Sequence, residues 1–297
     1  MTSLQFPAAL HMQTASLDTK VLRWAWSAGL FETHAELERC RIQKINWFAG
    51  YLFPEESEKR MEFIMRFFLC LFLLDDLLDH VSEQEGFNFL RRLMLMSSHS
   101  ESPRLHALGS ALLLTHESLG KLGPTEQWKR EWIETWTHYI AGLLWEMKNK
   151  SWSQMPSLED YRFYRPLSSG AFLAIHLLRP SVYPNACEAG LLELAIARLI
   201  CLSNDLVSFE KESSIGDFHN ELIILRSELG DKVQAWASME IRSVQKRIHL
   251  LARGVASQST ACRTWVECLF LLVGGCLAWS DETSRYVSYV NGTLRPN

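Results

Sequence analysis

The chain is short of the residues that interrupt regular structure, with 9 Pro and 15 Gly in 297 residues. No Pro-, Gly- or Ser-rich stretch divides it, which excludes collagen-like, low-complexity and linker-joined architectures. It also lacks an excess of positive charge. Lys and Arg total 30 against 34 Asp and Glu, a net charge of −4, so the basic footprint of a nucleic-acid binder is missing. An anionic ligand would have to be met by local positive charge or metal, because the overall field repels it. The 7 Cys are odd in number and form no Cys-x-x-Cys pair, which points to free thiols in a reducing compartment rather than a disulfide scaffold. The longest uncharged apolar runs, Phe67–Leu74 and Cys268–Trp279, are 8 and 12 residues, short of the ~20 that span a bilayer. MTSLQFPAALHMQTASLDTK has no basic start leading into an apolar run and does not read as a secretory leader. The expectation is a cytoplasmic monomer or homodimer without stable membrane insertion. No Gly-x-Ser-x-Gly elbow is present, so a hydrolase reading has no footing.

What the chain has is apolar and aromatic bulk, 47% hydrophobic residues with 11 Trp. Strand alternation is nearly absent and helical spacing is everywhere. Ser57–His80 begins amphipathic, with Met61, Ile64, Met65 and Phe68 on one face, and then becomes apolar all round; Glu188–Glu212 behaves alike. Helices of this kind occupy the middle of a large bundle. Further helices are expected at Thr19–Gly29, Ala35–Leu52, Gly86–Met96, Ser102–Leu119, Thr125–Lys150, Leu158–Leu178, Asp217–Leu229, Lys232–Ala252 and Ala261–Ser280. Breaks fall at Pro54, Gly120–Pro124, Pro156, Pro180–Pro184 and Gly230. The expected fold is an all-α bundle without sheet, one domain over 1–297, with residues 1–20 as a flexible N-terminal extension.

Two polar clusters interrupt the buried helices. After FFLCLFLL come Asp75, Asp76 and Asp79, which a helix places on one side with 75 and 79 a turn apart. Carboxylates crowded there repel one another unless a cation compensates. Oxygen donors at this spacing suit Mg²⁺, which keeps waters and completes its shell with substrate phosphates. A solvated helix end explains the same three residues. The second cluster is Asn204-Asp205-Leu206-Val207-Ser208-Phe209-Glu210-Lys211-Glu212. Asn204, Ser208 and Glu212 form a single i, i+4, i+8 stripe, about 12 Å long at 1.5 Å per residue. An amide, a hydroxyl and a carboxylate make a low-charge oxygen site for one divalent ion, with Lys211 close enough to meet a phosphate. A merely polar helix face accounts for the charge but not for the ordered choice of donors.

DDLLD followed by NDLVSFEKE resembles the two metal-binding motifs of class I terpene synthases (terpene cyclases) of the microbial, single-domain kind, and both motifs match without substitution. The similarity runs from about Leu22 to Tyr286. NWFAGYLFPEESEKRMEFIMRFFLCLFLLDD resembles the family's approach to the first motif, GDFHNELIILRSELG the sequel to the second, and Trp279 through Arg285-Tyr286 its terminal W-x5-R-Y. EMKNKSWSQMPSLEDYRFYRPLSSGA resembles the segment that carries an Arg sensing diphosphate.

The resemblance implies a Mg²⁺-dependent enzyme that ionises a linear prenyl diphosphate and cyclises the carbocation. Three Mg²⁺ are implied, with Mn²⁺ as a substitute. Asp75 would ligate directly with Asp76 and Asp79 in support, and Asn204, Ser208 and Glu212 would hold a further ion; Asp205, about 100° off the stripe, would act behind them. Arg165 matches the diphosphate sensor because Gly170 follows five residues later, and Arg162, one turn earlier, competes for that role. The family often has Asp three residues after the sensor; here it is Ser168. Lys211, Arg285 and Tyr286 would bind the diphosphate. Cation–π stabilisation of the carbocation would come from Trp279, then Phe68 and Phe72, against a plain packing role for each ring. Trp24, Trp26, Trp128 and Trp132 read as packing.

Farnesyl diphosphate giving a sesquiterpene is favoured, with geranylgeranyl diphosphate giving a diterpene as the alternative. A chain-elongating prenyltransferase should carry a second Asp-rich motif in place of Asn204–Glu212. A lapsed helical scaffold should have lost a ligand, and none is lost.

Overall fold

The computed structural model describes residues 6–182, 184 and 186–286, with the backbone of 289–290 and 293–294. Its helices are α1 (Thr14–Ser27), α2 (His34–Ile42), α3 (Ile45–Leu52), α4 (Glu58–Leu78), α5 (Glu83–Met94), α6 (Pro103–Lys121), α7 (Glu126–Ser151), α8 (Leu158–Ser168), α9 (Ala171–Leu177), α10 (Ala186–Ile215), α11 (Glu221–Leu229), α12 (Val233–Ala256) and α13 (Thr260–Glu282). Local chemistry starts most of them. Ser57, Ser82, Ser102, Thr125, Ser157 and Ser259 each accept a backbone N–H in the first turn of the helix that follows, a cap worth about 1 kcal/mol. An all-α bundle results. Beyond α13, Tyr289–Val290 and Thr293–Leu294 form a two-residue antiparallel ladder, a pairing that the reading without sheet did not include.

α3, α4, α7, α8, α9, α10 and α13 wall a central cavity, and the rest pack outside them: α12 on α10, α6 on α4, α5 on α7 and α1 on α3 and α4. One large apolar core runs through the bundle, and a smaller cluster of Leu202, Phe209, Leu222, Leu225, Val233 and Ala237 joins α10, α11 and α12. By length and composition α13 could cross a membrane, which the short uncharged runs did not suggest. Its apolar length is used inside the bundle. A side chain at Gly275 would collide with the Tyr51 carbonyl, so only glycine lets α13 reach the backbone of α3.

Four expectations are corrected. Ala35–Leu52 is two helices, because Lys44 adopts φ 53° and turns the chain between α2 and α3. Leu158–Leu178 is likewise divided at Gly170, whose φ of 74° suits glycine. Asp217–Leu229 becomes helical only at Glu221, where the Asn220 side chain caps Leu222 and Ile223. Residues 6–20, expected as part of a flexible extension, are packed: the Phe6 ring stacks on His249 at 5.2 Å, His11 bonds the Glu56 carbonyl at 2.9 Å, and α1 begins at Thr14.

Candidate active site

The end of α4 supplies the first wall. The exposed carboxylates of Asp75 and Asp76 are bridged by Arg285, whose Nη2 lies 3.2 Å from Asp75 Oδ2 and 2.8 Å from Asp76 Oδ1. Asp79 instead meets Lys150, at the end of α7. Lys150 Nζ donates to Asp79 Oδ1 at 2.8 Å and lies 3.2 Å from Asp217 Oδ2, in the segment after α10. One ammonium thereby ties the two acidic sides of the cavity mouth together.

α10 supplies the second wall. Asn204, Glu212 and Lys211 line the cavity, and the Ser208 hydroxyl, on the same helix face, donates to the Asn204 carbonyl at 2.8 Å. Asn220 holds the stripe from behind. Its Nδ2 donates to the Asp205 carbonyl at 2.6 Å and to Glu212 Oε2 at 2.8 Å, and lies 3.4 Å from Ser208 Oγ. Burial, with the Asp205 charge adding to it, pushes the Glu212 carboxyl up to about 7. Asp205 is fully buried and faces away from the stripe. It accepts from the Tyr161 hydroxyl at 2.8 Å and the Glu221 amide at 3.1 Å, and its Oδ1 is 3.3 Å from two nitrogens of Arg165.

The two candidate sensor arginines separate clearly. Arg165 turns into the cavity and donates from Nη2 to Asn204 Oδ1 at 2.8 Å. Arg162 is held by Glu221, its Nε and Nη2 at 2.8 and 2.7 Å from Oε1, and does not line the cavity. Where the family often has Asp, Ser168 donates to Glu146 Oε1 at 2.8 Å, and that oxygen is 3.8 Å from Arg165 Nη1. The Tyr286 hydroxyl accepts from Asn204 Nδ2 at 2.8 Å, and burial pushes it up to about 12.

The cavity is about 240 Å³, its lining shared evenly between these polar groups and an apolar, aromatic part. Phe68, Phe72 and Trp279 all line it. So does Phe48 of α3, whose ring centroid is 5.6, 5.3 and 4.9 Å from theirs respectively. Tyr139 lines the α7 side. Two thiols also face the space, and burial pushes Cys201 up to about 11 and Cys276 up to about 12. Held as thiols, they are weak nucleophiles. Cys201 and Cys276 are in no disulfide.

Phe48, Tyr139, Glu146, Lys150, Asn220 and Asp217 were not nominated from the sequence. Only Asn220 had a local signal, as an N-cap residue ahead of an apolar run.

The donor set fits a hard divalent ion. Asp75, Asp76, Asp79, Asn204, Ser208 and Glu212 offer only oxygen. Among the described residues no three Asp, Glu, His or Cys side chains close around one point.

An all-helical bundle with two oxygen-rich walls and inward arginines over an aromatic cavity defines the class I terpene synthases. The model of terpene synthase family 2, C-terminal metal binding, matches residues 66–242, and the chain belongs to this family. It is 23% identical over 300 residues to (+)-eremophilene synthase of Sorangium cellulosum, covering 95% of this chain and 90% of that protein. It is 22% identical over 310 residues to 4-epi-cubebol synthase of Streptosporangium roseum, described as (2E,6E)-farnesyl diphosphate cyclizing, covering 98% of this chain and 93% of that one. The fold matches linalool/nerolidol synthase from Streptomyces clavuligerus with a TM-score of 0.79 at 13% identity, over 94% of this chain and 99% of that one.

Proposed function

We propose that the protein cyclises farnesyl diphosphate to a sesquiterpene and releases diphosphate. The observation that carries the reading is the facing of two oxygen-donor helix ends, α4 and α10, across the mouth of one aromatic cavity with Arg165, Arg285 and Tyr286 between them. A farnesyl-diphosphate-cyclizing relative aligned over nearly the whole chain supports the choice of substrate.

Asp75, Asp76 and Asp79 on one wall and Asn204, Ser208 and Glu212 on the other would hold three Mg²⁺, for which Mn²⁺ can substitute. When bound, such ions neutralise charge developing on the departing diphosphate. Arg165, Lys211, Arg285 and Tyr286 add N–H and O–H donors aimed at the same group, and preorganised donors need little reorganisation as charge develops. Phe48, Phe68, Phe72 and Trp279 exclude water and present ring faces to the hydrocarbon, each able to stabilise a cation by ~0.5–2 kcal/mol. The Asn–Ser–Glu stripe, in place of a second aspartate cluster, separates this site from a chain-elongating one.

The test is incubation of the purified protein with C10, C15 and C20 prenyl diphosphates, with and without Mg²⁺, followed by product analysis. A cyclic C15 product that requires the metal is expected. A cyclic C20 product instead would move the assignment to geranylgeranyl diphosphate, and metal-independent turnover or no terpene from any substrate would overturn it.

A further inference from the structure

We propose that Thr283 is a positioning residue for the diphosphate clamp, its hydroxyl fixing the turn by which the chain leaves α13 and so placing Arg285 and Tyr286. The inference rests on the reading that those two residues bind diphosphate. Thr283 is buried, 5% exposed, and follows the last helical residue with φ −72° and ψ 141°. Its amide still donates to the Trp279 carbonyl at 2.9 Å. Its hydroxyl does two further things. It donates to the Gln43 carbonyl at 2.6 Å and accepts the Arg285 amide at 3.2 Å.

The acceptor at Gln43 exists because of the bend between α2 and α3. In an unbroken helix the Gln43 carbonyl would take the amide four residues on, at Trp47. The left-handed Lys44 diverts that amide to its own carbonyl, at 3.0 Å, and leaves the Gln43 carbonyl for Thr283. The Lys44 carbonyl also accepts Trp279 Nε1 at 2.8 Å. Trp279 and Thr283 are four residues apart, on one helix face, so consecutive carbonyls of the bend receive consecutive turns of α13. The surrounding pairs of Glu282 with Lys44 and Tyr51 are partly exposed, and contacts of that kind contribute little.

Two residues beyond the Thr283 hydroxyl, the Arg285 guanidinium meets Asp75 and Asp76 and lies 5.2 Å from the Phe72 ring centre, while Tyr286 meets Asn204. A chain exit set by one side-chain oxygen thus delivers donors to both walls at once. Without that oxygen the Gln43 carbonyl and the Arg285 amide lose partners together, and the substrate must order the segment itself.

The test compares Thr283→Val with wild type and Thr283→Ser, reading the thermal stabilisation and affinity produced by inorganic pyrophosphate with Mg²⁺, alongside kcat and KM for farnesyl diphosphate. Thr283→Val should bind pyrophosphate about tenfold more weakly and lose about tenfold in kcat/KM, the effect expected from one or two buried hydrogen bonds. Thr283→Ser, which keeps the hydroxyl, should restore both. Thr283→Ala removes the same oxygen and replaces the Val variant should that one fail to fold. A variant whose melting point without ligand falls, while its pyrophosphate affinity and kcat/KM stay at wild-type values, would overturn the inference. If wild type itself shows no response to pyrophosphate and Mg²⁺, the diphosphate reading fails first and takes the inference with it.

Discussion

The Arg165 guanidinium and the Asn204 side-chain oxygen stand 2.8 Å apart, although 39 residues separate them in the chain. The residue proposed to sense the anion and a residue proposed to hold the cation are therefore one hydrogen-bonded unit. An amide oxygen has two lone pairs, so it can keep Arg165 while facing an ion. The pair is buttressed by Asp205, itself oriented by Tyr161 and the Glu221 amide.

Arg165→Lys keeps the charge but cannot span Asn204 and Asp205 with a planar fork. It should lower kcat/KM by about 10²–10³, the usual loss of a preorganised anion donor. Arg162→Gln, on the arginine turned toward Glu221, should stay within about threefold of wild type. Steady-state kinetics on the two variants would check this, and equal losses would remove the distinction.

Asp75→Ala and Asn204→Ala each delete an oxygen proposed to face metal, from opposite walls. Both should reduce product formation to about 1% of wild type or less, while far-UV circular dichroism stays helical. Full activity in both would remove the metal assignment.

Lys150 is the cation between Asp79 and Asp217. In Lys150→Met these carboxylates face each other without it, and like charges at short range are destabilising. Mg²⁺ added without substrate should therefore raise the melting temperature of the variant more than that of wild type. Identical shifts would show that Lys150 does not neutralise the mouth.

His116 is buried against Trp132 at 4.8 Å, and burial pushes its ring down to about 4. Its unfolded value is near 6.5, so above that pH neither state carries the proton. Below it the unfolded chain is protonated first, and stability falls with pH until the folded ring titrates near 4. His116→Phe should flatten this slope by about 1.4 kcal/mol per pH unit between pH 6 and 4. Denaturant melts at several pH values measure it; an unchanged slope would mean the histidine is already charged in the fold.

What was legible in the sequence was whatever repeats along one helix. The oxygen-donor stripes on α4 and α10 and the apolar character of both helices depend only on 3.6-residue geometry, and the structure turns Asp75, Asn204 and Glu212 toward one cavity. Residues that reach the site from elsewhere carry no such period. Lys150 is read as one more cation at the end of a helix until α7 brings it beside Asp79 and Asp217. Phe48 is one apolar residue among several until the bend at Lys44 turns α3 toward α4 and α13. That bend had no glycine or proline to announce it, which is why one helix was expected over Ala35–Leu52. Asn220 has the reverse history. Its capping role is local, but its hold on Glu212 needs the chain to double back after α10.

The indole of Trp279 is pinned through its nitrogen to the Lys44 carbonyl, and Phe48 and Phe72 bracket the ring. A ring held at one edge cannot turn over within the wall, so under the proposed function it would offer the hydrocarbon a single fixed face. Under the proposed function, product stereochemistry would then depend partly on a main-chain atom that no side-chain substitution removes. Trp279→Phe should accordingly loosen stereochemical fidelity, giving mixtures, rather than convert one enantiomer cleanly into the other.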